Sequence, residues 1–166
     1  LLTSSAASDV YKRQYWDGAN NRPAANNPWF NAICPHMPYC WGYDYNHESQ
    51  ATQNFMDRVN HYWLDEYHVD GFRFDFTKGF SNNSNNYDNG RIQLLKRMAD
   101  TIWSVHPNSY IILEHWADNN EEKILADYGM MLWGNVTHGY QESGMGYISG
   151  SNLSFGVYKY RTWSQP

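Results

Sequence analysis

The sequence is poor in charge, and poorest in basic residues. Its 166 residues include 12 Lys and Arg against 17 Asp and Glu, a net charge of −5, and charged residues make up 17% of the chain. An average domain has about 25%. General nucleic-acid binders need a basic face to neutralise phosphates, so we expect no nucleic-acid partner.

Long apolar runs are also missing. No window approaches the roughly 18 consecutive apolar residues of a membrane-spanning helix, so we expect no membrane span. The hydrophobic content of 42% nevertheless suffices for a core and excludes a wholly disordered chain.

Cysteine is scarce, with only Cys34 and Cys40 in the segment CPHMPYC. Two cysteines do not make a disulfide scaffold. Their spacing from nearby histidines matches no zinc pattern, so we predict no metal ligands here. A short loop permits a disulfide, but two unpaired thiols fit the sequence at least equally well.

Aromatic and amide side chains are abundant: 8 Trp, 14 Tyr, 7 Phe and 18 Asn. Sugar rings stack on aromatic rings and sugar hydroxyls pair with amides. The composition therefore suits a carbohydrate ligand. A large aromatic core with Asn-rich loops explains the composition slightly better if nothing else is considered.

The ends of the chain differ from its middle. Residues 1–14 lack the basic start and apolar stretch of a secretory signal. They resemble translated sequencing adapter, so we expect an assembly artefact there and the native part at residues 15–166. The sequence starts without Met and stops without an evident terminal element, and we therefore expect an internal fragment.

Helical and strand patterns alternate along the chain. The predicted elements are helix 49–67 with Ser49 as N-cap, strand 68–76, helix 91–105, strand 110–116, helix 121–128 and strand 130–136. The apolar residues that fall on one face of the first helix are Phe55, Val59, Tyr62, Trp63 and Tyr67. Those that form one stripe on the helix 91–105 are Ile92, Leu95, Met98, Ala99 and Ile102. This order predicts an α/β fold with parallel strands. The spacings suit either a (β/α)8 barrel, at roughly 31 residues per unit, or a doubly wound open sheet.

Asp75 is the first candidate for chemistry. A period of two puts it on the same strand face as Arg73, opposite three phenylalanines that we expect to face the outer helices: Phe72, Phe74 and Phe76. A cation beside a carboxylate lowers its pKa and keeps it ionised, as a nucleophile requires. Taken alone, a structural ion pair is the better interpretation.

Glu114 is the second candidate, on the strand face shared with Ile112 and Trp116. Apolar surroundings raise the pKa of a carboxyl group, which suits a general acid. Alone, it is better interpreted as a helix cap or an arginine partner. Two carboxyl groups that end consecutive parallel strands converge, however, and a separation of about 5–5.5 Å is that of a retaining glycosidase.

Three segments carry a family resemblance. DGFRFDFTKGF (70–80) resembles the nucleophile segment of the α-amylase family, glycoside hydrolase family 13, and ILEHWADN (112–119) resembles its acid/base segment. WGYDYNHES resembles the segment before the third barrel helix, with Asp44 and Asn46 matching. The resemblance is close over roughly 29–136 and loose over 137–166.

The resemblance implies a partial (β/α)8 TIM barrel, from the third helix through the sixth strand. Asp75 would attack the anomeric carbon, and Glu114 would protonate the leaving oxygen and later activate water. Arg73 would orient Asp75 and keep it ionised. Lys78 matches a lysine that often contacts sugar in the family, and Trp116 would line a subsite or simply pack.

The chain also departs from the family pattern. Gly79 stands where many members have a histidine that serves substrate and calcium sites, so no cofactor is implied with certainty and calcium stays open for the parent protein. The third-strand segment is absent, as is the seventh-strand His-Asp segment with the third catalytic carboxylate. We therefore expect the 166 residues to be inactive alone.

The function implied is a retaining hydrolase of starch-like or glycogen-like α-1,4-glucans that works through a covalent glycosyl-enzyme. Alternatives are a branching or other transglycosylase, an α-1,6 debranching enzyme and a catalytically dead glucan-binding barrel. A doubly wound sugar-binding protein explains the alternation but not the family segments. A secreted or periplasmic location suits a polymer-degrading enzyme, although the sequence does not fix the compartment.

Overall fold

The computed structural model describes residues 15–133 and 137–147. The elements are β1 (Trp16–Asp17), β2 (Arg22–Pro23), α1 (Gln50–Tyr67), β3 (Gly71–Phe74), a 3₁₀ turn (Thr77–Phe80), α2 (Asn89–Val105), β4 (Tyr110–Leu113), α3 (Asn119–Asp127), β5 (Met131–Leu132) and α4 (Thr137–Gly144). The alternation of helix and strand from α1 to β5 confirms the predicted α/β class. No helix in the described ranges is long and apolar enough to cross a membrane.

Strands β3, β4 and β5 form one parallel sheet in chain order. Arg73 pairs with Ile112 and Phe74 with Leu113, so β3 and β4 end at the same level. The residues that follow these ends, Asp75 and Glu114, therefore emerge side by side at one edge of the sheet. A separate antiparallel ribbon is formed by β1 and β2.

The core lies between the sheet and the helices. The predicted buried stripe of α2 is confirmed, and its residues are at most 6% exposed: Ile92, Leu95, Met98, Ala99 and Ile102. The rest of the cluster comes from outside α2: Leu64, Phe74, Ile111, Leu113, Leu125 and Met130. The helices thus cover one face of the sheet and leave its carboxyl edge to the loops.

The predicted buried face of α1 is wrong in its aromatic part. Tyr62, Trp63 and Tyr67 are 52%, 44% and 58% exposed, whereas α1 buries Thr52, Asn60 and Leu64. Polar contacts with α2 select this face: Arg97 pairs with Asp57, and a ring nitrogen of His61 lies 3.1 Å from the carbonyl oxygen of Thr101. The spacing of apolar residues does not predict such polar contacts between two helices.

Several predicted boundaries also need correction. The strand predicted at 68–76 covers Gly71–Phe74, and the one predicted at 130–136 covers Met131–Leu132, with residues 134–136 outside the described ranges. Ser49 occupies the N-cap position of α1, but its hydroxyl donates to the carbonyl of Pro28 instead of capping the helix. Helix α4 was not predicted. Residues 1–14 also lie outside the described ranges, so their assignment as an artefact stays a prediction.

Candidate active site

Asp75, Glu114 and Arg73 meet at the carboxyl edge of the sheet. The guanidinium of Arg73 bridges the two carboxyl groups: its Nη1 donates to Asp75, and its Nη2 donates to Glu114 Oε2 at 2.5 Å. One guanidinium thus holds the two carboxyl groups near each other at the ends of adjacent strands.

The two carboxyl groups differ in exposure and in proton affinity. Asp75 has a side chain that is 77% exposed, against 12% for Glu114. The hydrogen bond from Glu114, followed by that from Arg73, lowers the pKa of Asp75 below its ordinary value. The pKa of Glu114 is raised by that shared hydrogen bond first and by burial second. The opposite directions of the two pKa shifts favour the proton on Glu114 over Asp75.

A buried polar network holds the backbone of Glu114. Thr77 donates from its backbone N–H to the Glu114 carbonyl at 2.9 Å, and its hydroxyl lies 2.9 Å from Nδ1 of His115. Nε2 of His115 lies 2.8 Å from Oε1 of Glu121, which in turn forms a two-point ion pair with Arg91. All four supporting residues are at most 1% exposed, so this network fixes the turn that presents the acid.

Glu121 is ionised within this network. Burial acts to raise its pKa, but hydrogen bonds from His115, Arg91 and the backbone of Asp88 outweigh burial and lower it. The remaining hydrogen bonds of Arg91 go to the hydroxyl of Ser81, to the backbone carbonyl of Lys78 in the 3₁₀ turn and to backbone carbonyls of the loop after it. One buried ion pair therefore organises both the strand end and this loop.

Trp116 lies beyond the end of β4 with a left-handed backbone, at φ 48°. It is 40% exposed, and its ring meets that of Trp133 edge to face at 5.5 Å. The guanidinium carbon of Arg73 sits 5.4 Å from the Trp133 ring centroid. Trp116 is thus linked to Arg73 through Trp133, which the sequence did not indicate, and its role in a sugar subsite stays a prediction.

Lys78 does not join the carboxyl pair. It lies on the 3₁₀ turn, where its ammonium group donates to Asn86 Oδ1 at 3.0 Å. This contact ties the turn to the Asn-rich loop, and it leaves the predicted sugar contact of Lys78 as a prediction.

A cleft of about 360 Å³ opens beside Asp75. The loop that carries Cys34 and Cys40 forms much of its wall, and these two cysteines are joined by a disulfide, which decides the question the sequence left open. The expectation that Phe76 faces the outer helices with Phe72 and Phe74 is wrong. Phe76 has φ 44°, which turns its ring away from the core and into this wall.

Gly79 is required by the position of the Phe76 ring. A Cβ at residue 79 would lie 2.6 Å from that ring and 3.7 Å from His36. A side chain at residue 79 would therefore meet the Phe76 ring as this ring is placed here. This packing gives a physical reason for the departure noted in the sequence.

Among the described residues, no group of three or more His, Cys, Asp or Glu side chains is arranged to hold a metal ion. Asp44, which matches the family segment, accepts a hydrogen bond from the amide of Asn31 at 2.6 Å, and Asn31 also donates to Asn82. Calcium binding by the parent protein stays a prediction, and no step below depends on it.

The model of the alpha-amylase catalytic domain matches residues 9–161. The chain belongs to the alpha-amylase catalytic-domain family. The family comprises glycoside hydrolases and transglycosylases that act on α-glucans. These statements hold at the level of the family and do not fix one reaction.

Two curated relatives are 1,4-alpha-glucan branching enzymes GlgB. The one from Aliivibrio fischeri is 27% identical over 124 residues, which cover 64% of this chain and 16% of that protein. The one from Bacillus caldolyticus is 25% identical over 114 residues, covering 66% and 15%. The chain thus spans about a sixth of the length of these relatives.

Among solved structures, the fold is similar to that of Eubacterium rectale Amy13B, with a TM-score of 0.50 and 23% sequence identity. The match covers 78% of this chain and 25% of that one. The likeness concerns the fold alone.

Proposed function

We propose that this chain is the central part of a catalytic domain that cleaves or transfers α-glucan chains with retention of configuration. The observation that carries the proposal is the pair of Asp75 and Glu114, both bound by Arg73 at the ends of adjacent parallel strands. A retaining glycosidase needs one ionised and one protonated carboxyl group on either side of the scissile bond. The opposite pKa shifts of the two groups supply this pairing.

In the proposed reaction, Asp75 attacks the anomeric carbon while Glu114 gives its proton to the leaving glycosidic oxygen. Glu114 is then a carboxylate and removes a proton from the acceptor that releases the sugar from Asp75. Arg73 stabilises the ionised form of Asp75 before the attack. Trp116, with Trp133, lines the site, and Lys78 contacts sugar when the substrate is bound.

The acceptor decides between two functions. Water gives hydrolysis of starch-like or glycogen-like α-1,4-glucans, and a glucan hydroxyl gives transglycosylation. Similarity to two branching enzymes supports the second possibility, although identity of 25–27% is low. Retention of the carboxyl pair argues against a catalytically dead glucan-binding barrel.

We also propose that the three parallel strands are one arc of a (β/α)8 barrel. Their chain-order arrangement and the exposed aromatic rings on α1, Tyr62, Trp63 and Tyr67, support this placement. The chain spans a quarter of the Amy13B chain, so we expect the 166 residues alone not to turn over glucan. The activity belongs to a complete protein that contains them.

To test the proposal, the complete protein is incubated with amylose, and the number of reducing ends and the colour of the iodine complex are followed. Hydrolysis increases the number of reducing ends, whereas branching changes the iodine colour and produces few new reducing ends.

We expect Asp75→Asn and Glu114→Gln each to lower the rate by at least about 10²-fold. An exposed carboxylate outside the site, Glu66, provides the matched control: Glu66→Gln should leave the rate unchanged. Full activity in Asp75→Asn would refute the proposal.

A further inference from the structure

We propose that Thr77 is a positioning residue for Glu114, and that it holds the proposed acid through a chain of buried hydrogen bonds running from Thr77 through His115 to Glu121. This inference rests on the proposed function for the role of Glu114. It adds a residue that acts on the reaction without touching the substrate, since Thr77 is fully buried.

Thr77 joins the two strand ends that carry the carboxyl groups. It follows Asp75 by two residues and begins the 3₁₀ turn, so its backbone N–H is free to bond outside the turn. The left-handed backbone of Phe76, at φ 44°, turns the chain just before it. The N–H of Thr77 donates to the Glu114 carbonyl at 2.9 Å, and the N–H of Glu114 donates to the Phe74 carbonyl at 2.9 Å. The strand of Asp75 thus holds Glu114 by both its backbone groups.

The side chain of Thr77 holds the same strand end a second time. Its hydroxyl donates to the Glu114 carbonyl at 3.1 Å and lies 2.9 Å from Nδ1 of His115. Nε2 of His115 lies 2.8 Å from Oε1 of Glu121. Because an ionised carboxylate accepts hydrogen bonds and cannot donate them, Nε2 carries a proton and the ring has one orientation. The residue next to the acid therefore cannot turn without breaking this chain of contacts.

Burial gives these contacts their effect. Thr77, His115 and Glu121 are at most 1% exposed, so water cannot replace a hydrogen bond that is lost there. Glu121 is itself held by Arg91, whose Nε and Nη2 donate to it at 2.7 and 2.9 Å. Removing the hydroxyl of Thr77 would take a partner from His115 and loosen the backbone of Glu114.

The order of hydroxyl, imidazole and carboxylate is also that of a catalytic triad. A nucleophile has to reach a substrate, however, and the hydroxyl of Thr77 is buried and bonded to the Glu114 carbonyl. The arrangement therefore positions Glu114 and does not supply a second nucleophile.

A misplaced acid has a distinct kinetic signature. A sugar leaving group needs the proton of Glu114 when its bond breaks, whereas a fluoride ion leaves with little help from an acid. The value of kcat/KM reports the steps up to the first transition state. Loss of acid positioning therefore lowers kcat/KM for maltopentaose far more than for α-maltosyl fluoride, whereas loss of folded protein lowers both equally.

The test compares these two substrates in the complete protein carrying Thr77→Val, which nearly keeps the shape of the side chain and removes the hydroxyl. We expect kcat/KM for maltopentaose to fall about tenfold relative to that for α-maltosyl fluoride, because the acid is less well placed. Thr77→Ser keeps the hydroxyl and should hold the ratio within about threefold of that of the unsubstituted protein. An unchanged ratio in Thr77→Val would overturn the proposal.

Thr52→Val is the matched control. Thr52 on α1 is also fully buried, and its hydroxyl donates to the backbone carbonyl of Trp29 at 3.0 Å. This variant loses a similar hydrogen bond, so we expect lower stability but a ratio within about twofold of that of the unsubstituted protein. A fall in the ratio as large as in Thr77→Val would show a general effect of losing a buried hydroxyl and would also overturn the proposal.

His115→Gln replaces Thr77→Val if that variant does not fold. The amide of glutamine still reaches Glu121 but no longer meets the hydroxyl of Thr77. We expect the ratio of the two kcat/KM values to fall several-fold, and an unchanged ratio would overturn the proposal.

The results separate this inference from the proposed function. If Asp75→Asn and Glu114→Gln stop the cleavage of maltopentaose but Thr77→Val leaves the ratio unchanged, the proposed function stands and the positioning role fails. If Glu114→Gln keeps full activity on maltopentaose, Glu114 is not the acid, and both proposals fail.

Discussion

At the scale of single residues, the two carboxyl groups of the site are made unequal by what surrounds them. Glu114 is nearly enclosed and Asp75 is open, although Arg73 touches both. The hydrogen bond between the two groups, and then the burial of Glu114, raise the pKa of Glu114, whereas that hydrogen bond and Arg73 lower the pKa of Asp75. These shifts suit Glu114 to the proposed role of acid and Asp75 to the proposed role of nucleophile.

His47 gives a residue-scale prediction about stability. Burial lowers its pKa from 6.5 to about 4 in the folded protein. Between these pH values the unfolded chain binds more protons than the folded chain does. The free energy of unfolding is therefore unaffected by His47 above pH 6.5 and falls as the pH is lowered from 6.5 towards 4. The loss amounts to roughly 3 kcal/mol.

Urea unfolding at a series of pH values checks this prediction. His47→Phe keeps the stacking on Phe80 but cannot be protonated, so its free energy of unfolding should fall much less between pH 6.5 and 4. His68→Asn is the control, because His68 is exposed and its left-handed backbone suits Asn. The same pH dependence in His47→Phe as in the unsubstituted protein would contradict the account.

At the scale of elements, the site depends on how β3 and β4 are paired. Gly71 begins β3 directly opposite Tyr110, and a Cβ at Gly71 would lie 2.2 Å from the carbonyl oxygen of Tyr110. The glycine therefore permits the register that sets Asp75 beside Glu114. Because the obstacle is backbone, a side chain there cannot be accommodated by a rotamer change.

Gly71→Ala should lower the free energy of unfolding by about 2–3 kcal/mol, since overpacking forces the two strands apart. Gly18→Ala is the matched control, because a Cβ at Gly18 has no atom within 4 Å, and we expect it to change stability by less than about 0.5 kcal/mol. Thermal or urea unfolding measures both variants. Equal stability of the two would mean that the close approach at Gly71 does not constrain the sheet.

The elements could be predicted from the sequence where apolar periodicity is undisturbed. The stripe on α2 is such a case, and β3, with Phe74 buried and Arg73 exposed, is another. The orientation of α1 could not be predicted, because Asp57 and His61 turn it through polar contacts with α2. The orientation of Phe76 could not be predicted either, because its left-handed backbone breaks the alternation of side chains just after the strand ends.

The support behind the site was also beyond sequence reasoning. His115 and Glu121 are six residues apart and Arg91 is 30 residues from Glu121, and nothing in this spacing indicates that they are joined in a buried network. Glu121 was counted only as the start of a helix. Removing the charges of Arg91 and Glu121 from water costs free energy, and their contacts with each other offset this cost. These contacts cannot be seen in the sequence pattern.

At the scale of the whole molecule, the described part contains both carboxyl groups of the proposed catalytic pair but only part of the proposed barrel around them. Aromatic rings on α1 face solvent, and β3 has β4 as its only partner in the sheet among the residues described. Both features agree with the proposed arc of a larger barrel. The central claim, that Asp75 becomes covalently linked to the sugar, is therefore tested in the complete protein.

The most direct measurement traps that covalent intermediate with a fluorinated glucosyl fluoride, which forms the glycosyl-enzyme faster than it is released, and maps the added mass by peptide mass spectrometry. The account predicts one added sugar on the peptide that contains Asp75, and none in Asp75→Asn. A sugar attached to another residue, or rapid turnover with no sugar attached to any peptide, would contradict it.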